Sequence, residues 1–229
     1  ATIGDARAPL STGAGLLDQQ GLNVYESPLS ITGGASPKLF GTTVIVHGYN
    51  GVGSGAEDKD SPPAWMSRLA RSILSQKGAG RGRVLAYEKA TGEFLPCGDQ
   101  RVPWCDGTLP SDPDGETILL LDWASDSGSW TTGYSEAAAS AFFASLMEAR
   151  KATSLSLNLQ PLHLIGHSRG SVIVSEIAER LIAVGQTPEQ VTYLDPHDWG
   201  VGNLIADDKS DVNEYHAAEY GNTGVIAWA

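Results

Sequence analysis

A serine flanked by glycines stands between a short apolar run and a segment with the spacing of an amphipathic helix. The residues Gly166-His167-Ser168-Arg169-Gly170 follow "LHLI" and precede "SVIVSEIAERL". Where a strand turns sharply into a helix at such a pattern, the serine is strained and its hydroxyl is exposed. The glycines let neighbouring backbone approach without a clash at Cβ. The pattern therefore predicts that Ser168 is a nucleophile at a strand-to-helix turn.

A nucleophilic serine also needs a base, and donors for the oxyanion that forms on the substrate carbonyl. Backbone N–H groups can be these donors: one from Arg169, directly after the serine, and one from the loop after an earlier strand. The sequence "HGYN" at residues 47–50 ends such a strand, and we predict Tyr49 as the second donor. We interpret His47 as a structural residue that braces this loop. We interpret His167 as structural because its side chain should point away from the serine hydroxyl.

The candidate acid is Asp195, in "YLDP" at the end of the strand that follows the serine turn. A carboxylate there can orient an imidazole and stabilise its charged form. Asp198 is an alternative, and so is a residue just beyond the final "VIAWA". Asp195 could instead belong to a simple Asp-Pro turn. Asp122, in the strand end "DW", is interpreted as structural.

The candidate base is His216, because the order in this type of site is serine, then acid, then histidine. Only His197 and His216 follow Asp195, and His197 is too close to Asp195 in sequence to reach round to Ser168. Three interpretations stay open. His216 serves as the base; or the base lies beyond this chain, which is then an incomplete piece of a longer hydrolase; or the domain binds without catalysis.

Strands that alternate with helices must position these residues. The predicted strands are near-continuous apolar runs, in "TTVIVHGYN", "ETILLLDWAS", "PLHLIGHS", "VTYLDP" and "TGVIAWA". The predicted helices are "AWMSRLARSILSQKG", "SEAAASAFFASLMEAR" and "GSVIVSEIAERLIAVG", and "RVLAYEKATGEFL" predicts a hairpin that turns at Thr91-Gly92. This alternation indicates an α/β fold with a mostly parallel sheet and helices on both faces. Ligands gather at the carboxyl ends of such strands, where residues 47–50, Asp122, residues 166–170 and Asp195 fall, whereas His216 precedes the last predicted strand.

The pieces "VIVHGYN", "LLLDWAS", "LIGHSRG" and "YLDP", in this order, resemble the α/β-hydrolase fold in its pancreatic-lipase-like branch. The resemblance covers Thr42 to Pro196. It implies that Asp195 is the catalytic acid, and that esters of lipids or smaller esters are hydrolysed through an acyl-enzyme. Arg169 departs from the small or apolar residue common after the serine in that family. In the family the catalytic histidine follows a further strand, which is the reason for the interpretation that the fold is C-terminally incomplete here.

The two cysteines, Cys97 and Cys105 in "CGDQRVPWC", predict a small disulfide-closed loop, with two free thiols as the alternative. A disulfide in turn predicts a secreted or periplasmic location. No metal site is expected, since there is no other cysteine and no histidine nearby. No cofactor is expected either.

The composition limits the classes of partner that are expected. The 229 residues carry a formal charge of −12, which argues against nucleic acid and anionic membranes as main partners. No apolar run approaches the roughly 20 residues of a membrane span. The expected partner is a small-molecule ester or lipid substrate. The acidic stretch 207–214 is interpreted as a solvated face rather than a calcium site.

The remaining expectations concern the surroundings of the site. We expect one domain over residues 1–229, with residues 1–40 forming an irregular region that contains one or two edge strands. Trp130 and Tyr134 are candidates for lining an acyl pocket. The loop 51–63 and the cysteine loop are candidates for a lid.

Overall fold

Seven strands and four helices alternate along the part of the chain that the computed structural model describes: residues 40–50, 60–77, 81–128, 133–152, 155, 157–196 and, as backbone only, 224–228. The strands are β1 (Thr42–Val46), β2 (Gly82–Glu88), β3 (Glu93–Pro96), β4 (Glu116–Leu121), β5 (Leu162–His167), β6 (Gln190–Leu194) and β7 (Gly224–Trp228). The helices are α1 (Trp65–Lys77), α2 (Ala124–Ser127), α3 (Tyr134–Lys151) and α4 (Gly170–Ala183). All these elements belong to one compact unit, Leu39–Ala229.

The strands form one sheet in the order β3-β2-β4-β1-β5-β6-β7. Strand β3 pairs antiparallel with β2, and every other neighbouring pair is parallel. The register aligns the strand ends: Val46 pairs with Leu121 on one side and with Gly166 on the other. The predicted fold class, a mostly parallel sheet with helices on both faces, is confirmed.

Two apolar layers cover the sheet, because successive side chains of a strand point to opposite faces. Helices α3 and α4 pack on the face that carries Val44, Leu119 and Leu164. Helix α1 and the cysteine loop pack on the other face, which carries Ile45, Ile118 and Ile165. Strands β1 and β4 are buried along their whole length, which explains their unbroken apolar runs.

The predicted hairpin is present, and it extends the main sheet. Glu88 pairs with Glu93 across the turn, where Gly92 has a φ of 73° that suits glycine. Strand β2 also pairs in parallel with β4, so the hairpin forms one side of the sheet. The sequence did not reveal this pairing, since it joins segments that are far apart along the chain. The four-residue helix α2 was also not predicted, because it is too short to show a helical period.

Cys97 and Cys105 form the predicted disulfide. The cysteine loop packs against the α1 side of the core through Val102, Cys105 and Leu109. The disulfide is compatible with an extracellular or periplasmic location. In the described ranges, no helix has both the length and the apolar character needed to cross a membrane. The irregular region predicted for residues 1–40 lies outside the described residues apart from Phe40.

Candidate active site

Ser168 stands at a sharp turn between β5 and α4, and its backbone is strained. Its φ of 51° is in the left-handed region, which a residue with a side chain rarely adopts. The Ser168 N–H donates to Leu194 O (2.8 Å), and the Ser168 carbonyl accepts from Ser171 N–H (2.9 Å). These bonds hold the turn against the end of β6 while the serine itself is half-buried. The strain that the sequence pattern predicts is therefore present at this serine.

The two glycines of the turn allow close packing of backbone. A Cβ on Gly166 would lie 2.5 Å from Gly170 O, and one on Gly170 would lie 2.5 Å from His47 O. Real side chains do not approach backbone so closely, so both positions require glycine. The contact of Gly170 with His47 brings the start of α4 against the loop that follows β1.

Gly48 in that loop lies directly against the serine. A Cβ on Gly48 would be 2.5 Å from Ser168 Cβ and 3.0 Å from Ser168 Oγ. Tyr49, the next residue, is half-buried. The loop predicted to donate to an oxyanion therefore lies beside the candidate nucleophile. The N-terminal end of α4 lies there too, and the dipole of the helix favours negative charge at this end.

His47 is buried, and both of its ring nitrogens are engaged. Nδ1 donates to Gly48 O (2.8 Å), and Nε2 accepts from Trp123 N–H (3.5 Å). Burial lowers the pKa of His47 to about 4, opposed by the bond to Gly48 and reinforced by the nearby His167. A neutral imidazole with a hydrogen bond at each ring nitrogen is suited to bracing a loop and not to exchanging protons with Ser168.

Asp195 lies at the strand end next to the serine. His167 pairs with Leu194 across β5 and β6, so Ser168 and Asp195 are the next residues on adjacent strands. Asp195 also has a left-handed backbone, with a φ of 46°, and it is exposed. Burial lowers the pKa of His167, and the nearby Asp195 carboxylate opposes this shift. Asp195 is thus placed at the same edge of the sheet as Ser168.

The candidate bases His216 and His197, and the alternative acid Asp198, lie outside the described residues. The described histidines have other contacts. His167 packs edge-on against the Trp65 ring (5.4 Å between centroids), and His163 Nε2 lies 2.8 Å from Thr192 Oγ1. The structure thus brings the candidate nucleophile, acid and oxyanion loop together, and the base stays a prediction.

A cleft of about 300 Å³ opens beside the end of β4. The residues that line it include Lys89, Asp122, Trp123, Asp126 and Tyr134. Burial raises the pKa of Asp122 to about 6, although its carboxylate accepts a hydrogen bond from Ala124 N–H (2.9 Å). Tyr134, expected near an acyl pocket, lines this cleft, and Trp130 lies outside the described residues.

Sequence reasoning missed Ser127. Its hydroxyl is fully buried and accepts the N–H of Asn50 (2.9 Å), the last residue of the "HGYN" loop. The two residues are 77 positions apart, and nothing local in the sequence marks the pair. In the described part of the chain, no three or more His, Cys, Asp or Glu side chains are grouped as a metal site would require.

No family model matches the chain, and no curated protein matches it. The product of the Listeria innocua gene lin2722 aligns at 12% identity with a TM-score of 0.40, over 67% of this chain and 50% of that chain. A protein from Lactobacillus plantarum WCFS1, named "putative cell surface hydrolase", aligns at 12% identity with a TM-score of 0.34, over 69% of this chain and 53% of that chain. The chain therefore spans about half the length of these two solved structures.

Proposed function

We propose that this chain is a serine hydrolase of esters, with Ser168 as the nucleophile, Asp195 as the acid and His216 as the base. The observation that carries the proposal is the left-handed backbone of Ser168 at the end of β5, with Gly48 seated against it. Backbone strain of this kind costs about 1–3 kcal/mol and clusters at functional sites. A domain that only binds would gain nothing from a strained serine beside a loop of backbone donors.

The chemistry follows from these roles. Ser168 Oγ attacks the carbonyl carbon of the ester while its proton passes to the imidazole of His216, which Asp195 orients. The carbonyl oxygen becomes an oxyanion and accepts hydrogen bonds from the N–H groups of Tyr49 and Arg169. The bond to the leaving alcohol then breaks, and the alcohol takes the proton from the imidazole. Water attacks the acyl-enzyme in the same way, and this step releases the acid and restores Ser168.

The substrate class rests on the resemblance to the pancreatic-lipase-like branch and on the cleft beside Trp123. The cleft has about 300 Å³, which is at the lower end of the range for small-molecule sites. Its walls combine aromatic rings with charged groups. We therefore propose that it holds a short acyl chain or a small alcohol group rather than a long apolar chain.

Labelling with a fluorophosphonate tests the function directly, because such probes react with serines that a base has made nucleophilic. We expect the 229-residue chain to gain one probe mass, and the Ser168→Ala variant to gain none. Ser72→Ala is the matched control, since it removes an exposed serine from α1 and should label like the unaltered chain.

The same assay assigns the base and the acid. His216→Ala should abolish labelling and His197→Ala should keep it, and Asp195→Asn should slow it by at least about 100-fold. A folded chain that does not label would contradict the proposal and favour a domain that only binds or that receives its base from another segment. Labelling that survives Ser168→Ala would place the nucleophile elsewhere.

A further inference from the structure

We propose that Trp123 and Ser127 are positioning residues that hold the "HGYN" loop and the residue after the serine at a fixed separation. Together these two residues, at the start and the end of the short α2 segment, are called the brace below. The inference rests on the proposed function, because the groups held in place are the two donors assigned to the oxyanion site, Tyr49 and Arg169. It adds Ser127, which has no role in the mechanism above, and it gives Trp123 a role besides lining the cleft.

The brace fixes the loop on both sides of Gly48 and Tyr49. Before them, the Trp123 indole N–H donates to His47 O (2.7 Å). After them, the Ser127 hydroxyl accepts the N–H of Asn50 (2.9 Å). The short stretch that lies against Ser168 is therefore held at each end by the same segment.

The brace also fixes the residue after the serine. The guanidinium of Arg169 donates from Nη1 to Ser127 O (3.3 Å). Its Cζ lies 5.6 Å from the centre of the Trp123 ring, within the range of a cation–π contact. Arg169 departs from the small or apolar residue that is common at this position in the pancreatic-lipase-like branch. These contacts give its long side chain a structural role.

The bonds from the brace to the loop are buried, and the bond from Arg169 to Ser127 O is partly buried. Ser127 is 0% exposed and Trp123 is 2% exposed. The Ser127 hydroxyl also donates to Ala124 O (2.9 Å), so its orientation is set. Hydrogen bonds are stronger and more directional in such surroundings than in water. Since oxyanion donors work only within a narrow range of distance, a rigid link between the two donor segments would raise the rate of the chemical step.

The test combines two variants that cut the brace on opposite sides. Ser127→Ala removes the acceptor for Asn50 N–H and leaves the Ser127 carbonyl for Arg169. Arg169→Met removes the guanidinium and keeps the backbone donor. Arg101→Met is the matched control, because Arg101 is an exposed arginine that pairs with Glu93 and Asp99 away from the site. Ser127→Thr restores a hydroxyl and should recover most of any loss.

The first readout is fluorophosphonate labelling, separated into probe affinity and maximal rate. We expect the maximal rate to fall about 10-fold to 100-fold in Ser127→Ala and Arg169→Met, with probe affinity within about twofold of the unaltered chain. Arg101→Met should label normally. Equal maximal rates in all folded variants would overturn the inference while leaving the proposed function intact.

The second readout is amide hydrogen exchange, which does not depend on chemistry at Ser168. We expect Arg169→Met to speed exchange at Asn50 by about tenfold, although Arg169 and Asn50 lie in different segments. A residue that only fills space would not link the two segments. If exchange at Asn50 is unchanged in Arg169→Met, the inference is wrong whatever the labelling shows. If exchange changes but the unaltered chain never labels, the proposed function fails and the link between the segments stands.

Discussion

Two buried carboxylates stand at opposite ends of β4, and the protein holds them differently. At the amino end, Glu116 accepts the Gly41 N–H (3.0 Å) and the Thr43 hydroxyl (2.8 Å) on separate oxygens. At the carboxyl end, Asp122 accepts the N–H of Ala124, and burial raises its pKa to about 6. At the amino end, two hydrogen bonds offset the cost of burying the Glu116 side chain. At the carboxyl end, burial disfavours the charged form of Asp122.

The backbone shows the same contrast. In the described ranges, the non-glycine residues with positive φ are Ser168 and Asp195, and both stand at carboxyl ends of strands. Strain and disfavoured charge are expected where a parallel sheet holds its site, because they must be offset by stability elsewhere. The hydrogen bonds at the amino ends of the strands therefore stabilise the fold, whereas the strained backbone and the disfavoured charge at the carboxyl ends destabilise it.

The largest difference in effect between the two ends of the sheet is expected when a methyl group is added to a crowded glycine at each end. A Cβ on Gly170 would lie 2.5 Å from His47 O, and a Cβ on Gly115, directly before Glu116, would lie 2.6 Å from backbone atoms of Arg81 and Gly82. Each alanine should lower the free energy of unfolding by about 1–3 kcal/mol, because the backbone must shift. Only Gly170→Ala should also slow labelling of Ser168, by at least about 10-fold, since it separates α4 from the loop.

Urea unfolding and labelling rates on the folded fraction measure the two effects. If Gly115→Ala slowed labelling as much as Gly170→Ala, the two ends of the sheet would not differ in function.

Local patterns predicted much of this arrangement. The turn at Ser168, the "HGYN" loop and the disulfide each depend on neighbours within a few positions, so their residue types reveal them. The strained φ of Ser168 and the close approach of backbone to Gly166 and Gly170 follow from the pattern around the serine. The alternation of apolar strands and helices was enough for the fold class.

The features that were not predicted depend on distant partners. The place of β2 in the sheet is set by its pairing with β4, and the bond between Asn50 and Ser127 joins residues 77 positions apart. The raised pKa of Asp122 comes mainly from burial, which exists only in the folded chain. A single sequence contains no local signal for any of these, so only the folded arrangement reveals them.

A change from carboxylate to carboxamide should have opposite effects at the two ends of β4. Glu116→Gln replaces one accepting oxygen with an NH₂ group that faces a donor, so at pH 8 it should lower the free energy of unfolding by about 1–3 kcal/mol. Asp122→Asn keeps an acceptor for Ala124 N–H and removes a charge that burial disfavours. A pKa raised from 3.8 to about 6 corresponds to at most about 3 kcal/mol, so we expect a gain of about 1–3 kcal/mol.

Urea unfolding at pH 8 measures the change in the free energy of unfolding in Glu116→Gln and in Asp122→Asn, and so gives the sign of each. Asp114→Asn is the control, because its side chain is 81% exposed and the change should stay within about 0.5 kcal/mol. Two changes of the same sign would show that the two carboxylates do not differ in the way described.

The smallest effect, and the most specific one, is the pH dependence at the carboxyl end. Between pH 3.8 and about 6 the folded protein holds a proton on Asp122 that the unfolded chain has lost, so this group makes stability fall as the pH rises. His47, with its pKa lowered from 6.5 to about 4, has the opposite effect, because there the unfolded chain holds the extra proton. The two contributions oppose each other in the unaltered protein.

The Asp122→Asn variant separates the contribution of Asp122 to the pH dependence of stability from that of His47. The difference in the free energy of unfolding between Asp122→Asn and the unaltered protein should be near zero at pH 4, grow by about 1.4 kcal/mol per pH unit at most, and level off above pH 6. Subtraction removes the contribution of His47. Burial of Asp122 mainly sets the pH range of the rise, with smaller effects from Ala124 N–H, Lys89, Asp126 and Asp60. A difference that is constant from pH 4 to pH 8 would mean that Asp122 titrates alike in both states, and the disfavoured charge that separates the two ends of β4 would then be absent.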